Sequence, residues 1–285
     1  MFKAAETTIE VLLRTDAGNH ERLVAALLDH GAEAFAEGDE TLRAYFPART
    51  WTEKRRATVQ AVLQGIDPRG TLDVREIPPR NWNEEWEATL TPVLVEPFLI
   101  TPSTRPIPEE DDALYVLQID PKMSFGTGHH ESTRLILRML SAVIKQGSLV
   151  LDAGSGTGVL AIAAARLGAR RIVAFDIDPH TEENIRENVA TNGVDDRVEI
   201  FIGTLDDAPS QLFDVITANI NHDALLNYMG GFSERLDPDG YLLMSGLLTT
   251  DRDTILQAIA DHGMMLVDER SEGDWWAVSC ALTTN

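Results

Sequence analysis

The sequence predicts an α/β protein, a doubly wound sheet preceded by a small α+β domain. Three observations carry this reading. From about Leu114 onward, apolar strand-like runs alternate with helical stretches, the order of parallel strands joined by crossover helices. A glycine-rich loop, Asp152 to Gly158 (DAGSGTG), stands between one such strand and one such helix. Residues 1–77 instead read strand, helix, strand, strand, helix, strand.

In the first part, Thr8–Arg14 (TIEVLLR) reads as a strand. His20–His30 places Leu23, Leu27 and His30 at helical spacing, and Gly31 follows as a C-terminal stop. Glu33–Ala36 and Thr41–Phe46 are two short strands around Gly38-Asp39, a hairpin signal. Thr52–Gln64 is helical by Val59, Val62 and Leu63, and Leu72–Ile77 is a last strand. This order is ferredoxin-like, and by itself it says nothing about function.

Pro78-Pro79 breaks the chain, so residues 78–92 read as a linker between a domain at 1–77 and a larger one at 93–285. Trp82 and Trp86 within it are four apart and share a helical face. They either pack one domain on the other or line a substrate site. Residues 101–112 are Pro-rich and acidic and read as a loop. Strands follow at Leu149–Asp152, Arg171–Asp176, Val198–Ile202, Phe213–Ala218 and Gly240–Gly246. Helices are expected at Leu135–Ile144, Gly158–Leu167, His180–Thr191, Asp223–Arg235 and Thr250–His262. Met264–Arg270 and Trp275–Leu282 are joined by four residues, short enough for a hairpin. The last strand should therefore run antiparallel in an otherwise parallel sheet.

Composition excludes several classes. Of 285 residues 44% are apolar, enough to bury a core, so disorder is excluded. No run of about 18 apolar residues suggests a membrane span, and the N-terminus does not read as a secretory signal. One cysteine, Cys280, fits a reducing cytoplasm. A monomer is the default expectation. The 24 basic and 46 acidic side chains leave a net charge of −22, which repels phosphate backbones and disfavours direct nucleic-acid binding. A basic partner is easier to accommodate. Twenty of the basic residues are Arg and four are Lys, and −17 of the charge falls on residues 91–285. The acidity suits a salt-adapted surface or the attraction of a basic substrate.

The glycine-rich loop admits two readings. A nicotinamide site would show G-x-G-x-x-G with the pyrophosphate on the helix N-terminus. Here the spacing is Gly154, Gly156, Gly158, and the acid Asp152 precedes it. A cofactor carrying a positive amino group and a sulfonium suits that acid better than a pyrophosphate does. Eighteen residues past Gly158, Asp176 ends the second strand, where a carboxylate can accept from both ribose hydroxyls. D-x-G-x-G-x-G with this second acid resembles class I S-adenosylmethionine-dependent methyltransferases. Asp206 or Asp207, after the third strand, either accepts from the adenine amino group or belongs to a solvated turn.

Ahead of the core lies Asp120 to His130 (DPKMSFGTGHH), then Glu131-Ser132-Thr133, where Ser132, Thr133 or His130 suits the cap of the helix that follows. F-G-T-G-x-H, the glycine-rich loop and Ala218-Asn219-Ile220 together resemble the PrmA family, which methylates ribosomal large-subunit protein eleven. The W-x-x-x-W stretch and the C-terminal Asp274-Trp275-Trp276 resemble it too. The resemblance implies a Rossmann-like class I methyltransferase domain, S-adenosyl-L-methionine as cofactor, and an N-terminal domain that binds the ribosomal protein. It implies transfer of methyl groups to lysine and N-terminal amines. It places cofactor contacts at Thr127, Asp152, Gly154, Gly156, Asp176 and Asn219, with Asn219 also catalytic. Phe125, His130, Trp82 and Trp86 are candidate loop or substrate residues, and His130 is equally a loop-bracing residue. Two positions depart from the family: Asn221 where N-I-L is common, and Glu131 where proline often follows the histidine. Two other functions remain compatible. One is lysine methylation of another protein, such as an electron-transfer flavoprotein subunit. The other is a cofactor-binding scaffold without catalysis.

Overall fold

The computed structural model describes residues 7–77, 89–106, 115–122 and 124–283. The chain divides into two compact units, residues 1–82 and 83–285.

In the first unit, β1 (Thr8–Arg14), β2 (Ala34–Gly38), β3 (Thr41–Pro47) and β4 (Thr71–Ile77) form one sheet in the order β2-β3-β1-β4. Every pairing in it is antiparallel. The helices α1 (His20–Asp29) and α2 (Glu53–Ile66) complete the ferredoxin-like order. Side chains alternate across a strand, so Ile9, Val11 and Leu13 of β1 all point inward. There they meet Leu42, Ala44 and Phe46 of β3, with Leu23, Leu27, Val59 and Leu63 from the helices. Thr52 caps α2 by accepting from the Arg55 amide at 3.2 Å.

The second unit opens with a small sheet that the sequence reading lacks. β5 (Val93–Val95) and β6 (Phe98–Thr101) form a hairpin, and β7 (Tyr115–Gln118) pairs parallel to β6. Pro97 interrupts the apolar run 93–101, which is why it does not read as a strand. Pro97 occupies the two-residue turn instead, beside the Val95–Phe98 pair.

The main sheet has seven strands: β8 (Leu149–Ala153), β9 (Arg171–Asp176), β10 (Val198–Ile202), β11 (Phe213–Asn219), β12 (Leu236–Leu248), β13 (Met264–Glu272) and β14 (Trp275–Leu282). Their order is β10-β9-β8-β11-β12-β14-β13. The first five run parallel, and β14 is antiparallel to both its neighbours. Both faces are buried. Val150, Ile172, Val215 and Leu243 point to one core, while their neighbours Leu151, Val173, Ile216 and Leu242 point to the other. Such strands read as continuous apolar runs. The first core takes α3 (Glu131–Val143), α4 (Val159–Arg166) and α5 (Thr181–Thr191). The second takes α6 (His222–Arg235) and α7 (Arg252–Asp261). Several bounds differ from expectation, the strand expected at 240–246 running Leu236–Leu248 among them, and two of the helix starts have local reasons. Helix α3 begins at Glu131 because His130 caps it, and α7 begins at Arg252 because 249–251 form a 3₁₀ turn. No helix among the described residues is long and apolar enough to cross a membrane.

Helix α5 carries Asn184 and Asn188 on one face, and Asn192 just past its end continues the four-residue spacing. All three side chains are buried. Asn192 accepts from the Gln118 amide at 3.0 Å and donates to the Gln118 carbonyl at 2.7 Å. Asn188 does the same for Asp120, at 3.0 and 3.1 Å, and also donates to the Thr157 carbonyl. Asn184 adds a bond to the Asp120 carbonyl at 2.7 Å. The asparagine amides thus stand in for a neighbouring strand along residues 118–120. They satisfy backbone groups that would otherwise be buried unpaired.

Candidate active site

The strand order reverses at β8, which has β9 on one side and β11 on the other. Ligands of doubly wound sheets bind outside the carboxyl ends of strands at such a point. A cleft of about 400 Å³ lies there, lined by residues after β8, β9 and β11 together with Ser124 and Phe125. A second cleft of about 230 Å³ shares Phe125, Asn219, Ile220 and Asn221 with it and adds His130, Ser132, Gly246 and Trp275.

The glycine-rich loop forms the floor. Gly154 and Gly156 have φ of +71° and +51°, values that L side chains rarely adopt. A Cβ on Gly156 would collide with the Phe125 carbonyl, and one on Gly154 with the Ile220 side chain. The first collision reflects a close seam between two loops. Thr157 donates from its amide to the Phe125 carbonyl at 2.9 Å and from its hydroxyl to the Gly126 carbonyl at 2.8 Å.

Asp176 ends β9 and lines the cleft. One carboxylate oxygen accepts from the Gly156 amide at 2.9 Å and the other from the Asp178 amide at 3.0 Å. Each oxygen keeps a lone pair for a further donor. Asn219 ends β11 and lines both clefts. Its Nδ2 donates to the Thr133 hydroxyl at 3.3 Å, and its Oδ1 is buried with no partner among the described residues.

Asp152 sits behind this wall rather than in it. It is fully buried, accepts from the Thr217 hydroxyl at 2.8 Å, and has a second oxygen with no partner among the described residues. Burial pushes its carboxyl up to about 7. Thr127 is also absent from the cleft walls, its hydroxyl accepting from the His129 amide at 3.3 Å. His130 caps α3, its Nδ1 accepting from the Ser132 amide at 3.2 Å. Its ring stands 4.4 Å from that of Trp275 and 5.1 Å from that of Phe125. Asp207 belongs to a turn, accepting from the Thr204 amide and hydroxyl at 2.9 and 3.0 Å, and neither it nor Asp206 lines the cleft. Trp82 and Trp86 lie outside the described residues. Asn221, the departure after β11, caps α6 by accepting from the Ala224 amide at 2.9 Å.

The sequence reading did not single out Ile177, Asp178, Thr181, Ala224 or Tyr228, which also line the cleft. Two signals were available. Ile177 is an apolar residue directly after a strand-end acid and is 69% exposed. Asn221, Ala224 and Tyr228 follow helical spacing on one face of α6.

These groups fit S-adenosylmethionine. The described residues lining the cleft include Asp176 and Asp178 and no lysine or arginine. A pyrophosphate has no counter-charge there, whereas a cationic cofactor is favoured. The carboxylate of Asp176 suits a vicinal diol, and the glycine floor leaves room for a ligand to approach the backbone.

Comparison with known proteins agrees. The family model described as ribosomal protein L11 methyltransferase (PrmA) matches residues 4–283. The chain is 37% identical to the ribosomal protein L11 methyltransferase of Chlorobaculum tepidum over 280 residues, covering 94% of each chain. It is also 37% identical to the protein of that name from Porphyromonas gingivalis, covering 91% of this chain and 89% of that one. The crystal structure of a ribosomal protein L11 methylase from Lactobacillus delbrueckii subsp. bulgaricus superposes with a TM-score of 0.65 at 26% identity. That alignment covers 68% of this chain and all of the other. With the matched span running through both units, the chain belongs to the ribosomal protein L11 methyltransferase family, PrmA.

Proposed function

We propose that this protein transfers methyl groups from S-adenosylmethionine to lysine and N-terminal amines of ribosomal protein L11. One observation carries the reading: Asn219 stands at the boundary of two clefts, one fit for the cofactor and one opening past Phe125, His130 and Trp275. The smaller cleft is the approach for the acceptor amine. The N-terminal domain expected at 1–77 engages the ribosomal protein, and the linker 78–92 joins it to a catalytic domain at 93–285. The enzyme acts as a cytoplasmic monomer without direct nucleic-acid contact.

When bound, the cofactor supplies a methyl group activated on a sulfonium. Asp176 binds its ribose hydroxyls, and the turn at Gly154 and Gly156 lets its polar end lie against backbone. Asp152 and Thr127 act from behind the wall, the first by packing under the glycine loop and the second by bracing the loop at 124–130. Asn219 orients the acceptor. Its Nδ2 is engaged by Thr133, so Oδ1 faces the amine as an acceptor of an N–H. The attacking amine must be neutral, although a lysine ordinarily titrates at about 10.4. Withdrawal from water in the smaller cleft disfavours the ammonium form, and water takes the proton. Alignment supplies most of the rate enhancement.

The test is incubation with purified ribosomal protein L11 and labelled S-adenosylmethionine, followed by mass mapping. Label on lysine side chains or the N-terminal amine is expected. A protein that binds the cofactor yet leaves L11 unlabelled would overturn the reading.

A further inference from the structure

Glu131, Arg134 and Arg138 share one face of α3, at spacings of three and four residues. The Arg134 side chain is 17% exposed, and its guanidinium reaches three residues on two stretches of chain, 129–131 and the hairpin at 272. Nε and Nη2 donate to one oxygen of Glu272 at 3.0 and 2.7 Å. Nη2 also pairs with Glu131 at 3.2 Å. Nη1 donates to the His129 carbonyl. Arg138 takes the other oxygen of Glu272 at 2.7 Å. Two cations thus meet two anions, and the cluster carries no net charge.

The positions of these partners matter. Glu272 faces Trp275 across the last pair of the β13–β14 hairpin, with Gly273 at φ +59° in the turn. His129 immediately precedes His130. The two rings that touch edge to face at 4.4 Å in the wall of the smaller cleft, His130 and Trp275, are therefore each one step from an atom that Arg134 holds. Glu131, where the family often has proline, supplies one of the anions.

We propose that Arg134 is a positioning residue of the acceptor cleft. It fixes the loop at 124–130 against the hairpin turn at 271–275, so that the touching rings of His130 and Trp275 hold one wall of the smaller cleft in shape for an unbranched alkylamine. This rests on the reading of the smaller cleft as the acceptor's approach. A planar guanidinium serves these acceptors from three nitrogens, whereas a lysine ammonium must direct all its donors from one. The ordinary acidity of Glu272 is also altered in the expected sense, its carboxyl held down chiefly by the bond from Arg134.

Arg134→Lys and Glu272→Gln are compared with the wild type in steady-state methylation of L11, in calorimetric cofactor binding and in hydrogen exchange of the free protein. Arg171→Lys, in a surface pair with Glu199 at the start of β9, serves as control. In both clamp variants we expect KM for the ribosomal protein to rise at least five-fold. The kcat and the cofactor Kd stay within two-fold, and exchange quickens at 124–130 and 271–275 together. An unchanged KM overturns the proposal, as does a joint shift of KM, kcat and cofactor Kd, which would report general loosening. If the wild type binds cofactor but does not methylate L11, the functional reading fails instead. The clamp is then judged on exchange: faster exchange in both segments supports it, and unchanged exchange overturns it.

Discussion

Asn219, which lines two adjoining clefts, donates its side-chain amide to the hydroxyl of Thr133, 3.3 Å away on α3, and its oxygen is buried with no partner among the described residues. A buried polar atom without a partner costs about 1–3 kcal/mol. The fold retains it at the one place where a donor from a substrate is expected. Asn219→Ala should keep cofactor affinity within a few-fold while losing most turnover. Thr133→Val should lose less, since it frees the amide to rotate without removing it. Single-turnover methylation beside calorimetric binding separates the two effects. Turnover equal to wild type in Asn219→Ala would remove Asn219 from the mechanism.

Asp176 bonds two backbone amides and has lone pairs to spare. Hydrogen bonds to a charged group contribute about 1.5–3 kcal/mol each. Asp176→Ala should therefore weaken cofactor binding by on the order of 10–100-fold. Asp176→Asn should weaken it less, because one acceptor oxygen survives. Unchanged affinity in Asp176→Ala would contradict the ribose role.

Asp152 predicts a pH effect on stability. Its folded carboxyl is pushed by burial from an ordinary 3.8 to about 7. A raised acid favours its protonated form in the fold. The stability this contributes is therefore fully present below about pH 4 and is lost as pH rises through about 7. The difference corresponds to on the order of 4 kcal/mol. Asp152→Asn keeps an oxygen for the Thr217 hydroxyl and cannot ionise. Its melting temperature should exceed that of wild type near pH 7.5, and the gap should narrow toward pH 5. Parallel melting curves across that range would show that Asp152 does not ionise with this linkage.

Asn221 caps α6 through the Ala224 amide, and removing such a cap costs about 1 kcal/mol. Asn221→Leu restores the residue common in the family and loses the cap. We expect a melting temperature lower by a few degrees with methylation retained. A variant as stable as wild type would show that another group satisfies the Ala224 amide.

The main sheet was legible because both its faces are buried, so its strands are unbroken apolar runs between glycine-bearing turns. The glycine loop and Asp176 stand out at strand ends, Asn219 only through the family resemblance, and the strand order places all three at one cleft. Residues 93–101 were not, since Pro97 occupies a turn inside a run that would otherwise read as one strand. Nor were the asparagines of α5. Spacing shows that Asn184, Asn188 and Asn192 share a face, but polar residues on a helix face usually meet water. Their burial follows from residues 118–120, whose backbone lacks a strand partner on that side. The Arg134–Glu272 pair was hidden for a similar reason: 138 residues separate its members, and only the closing hairpin joins them.

The charge of −22 yields the last prediction. A basic substrate is drawn to an acidic surface over roughly the Debye length, about 30 Å at 0.01 M salt and about 8 Å at 0.15 M. Attraction of this kind acts mainly on encounter rates. If the acidity serves encounter, kcat/KM for L11 should fall several-fold between 0.02 and 0.3 M salt, about that range being where screening becomes effective. The kcat should stay nearly constant. A salt-adapted fold behaves in the opposite way, its melting temperature and activity both rising with salt. The excess of Arg over Lys has no bearing on encounter, because both carry the same charge. Measuring melting temperature and kcat/KM on the same salt series distinguishes the two. A kcat/KM that is flat or rises with salt would exclude attraction as the reason for the acidic surface.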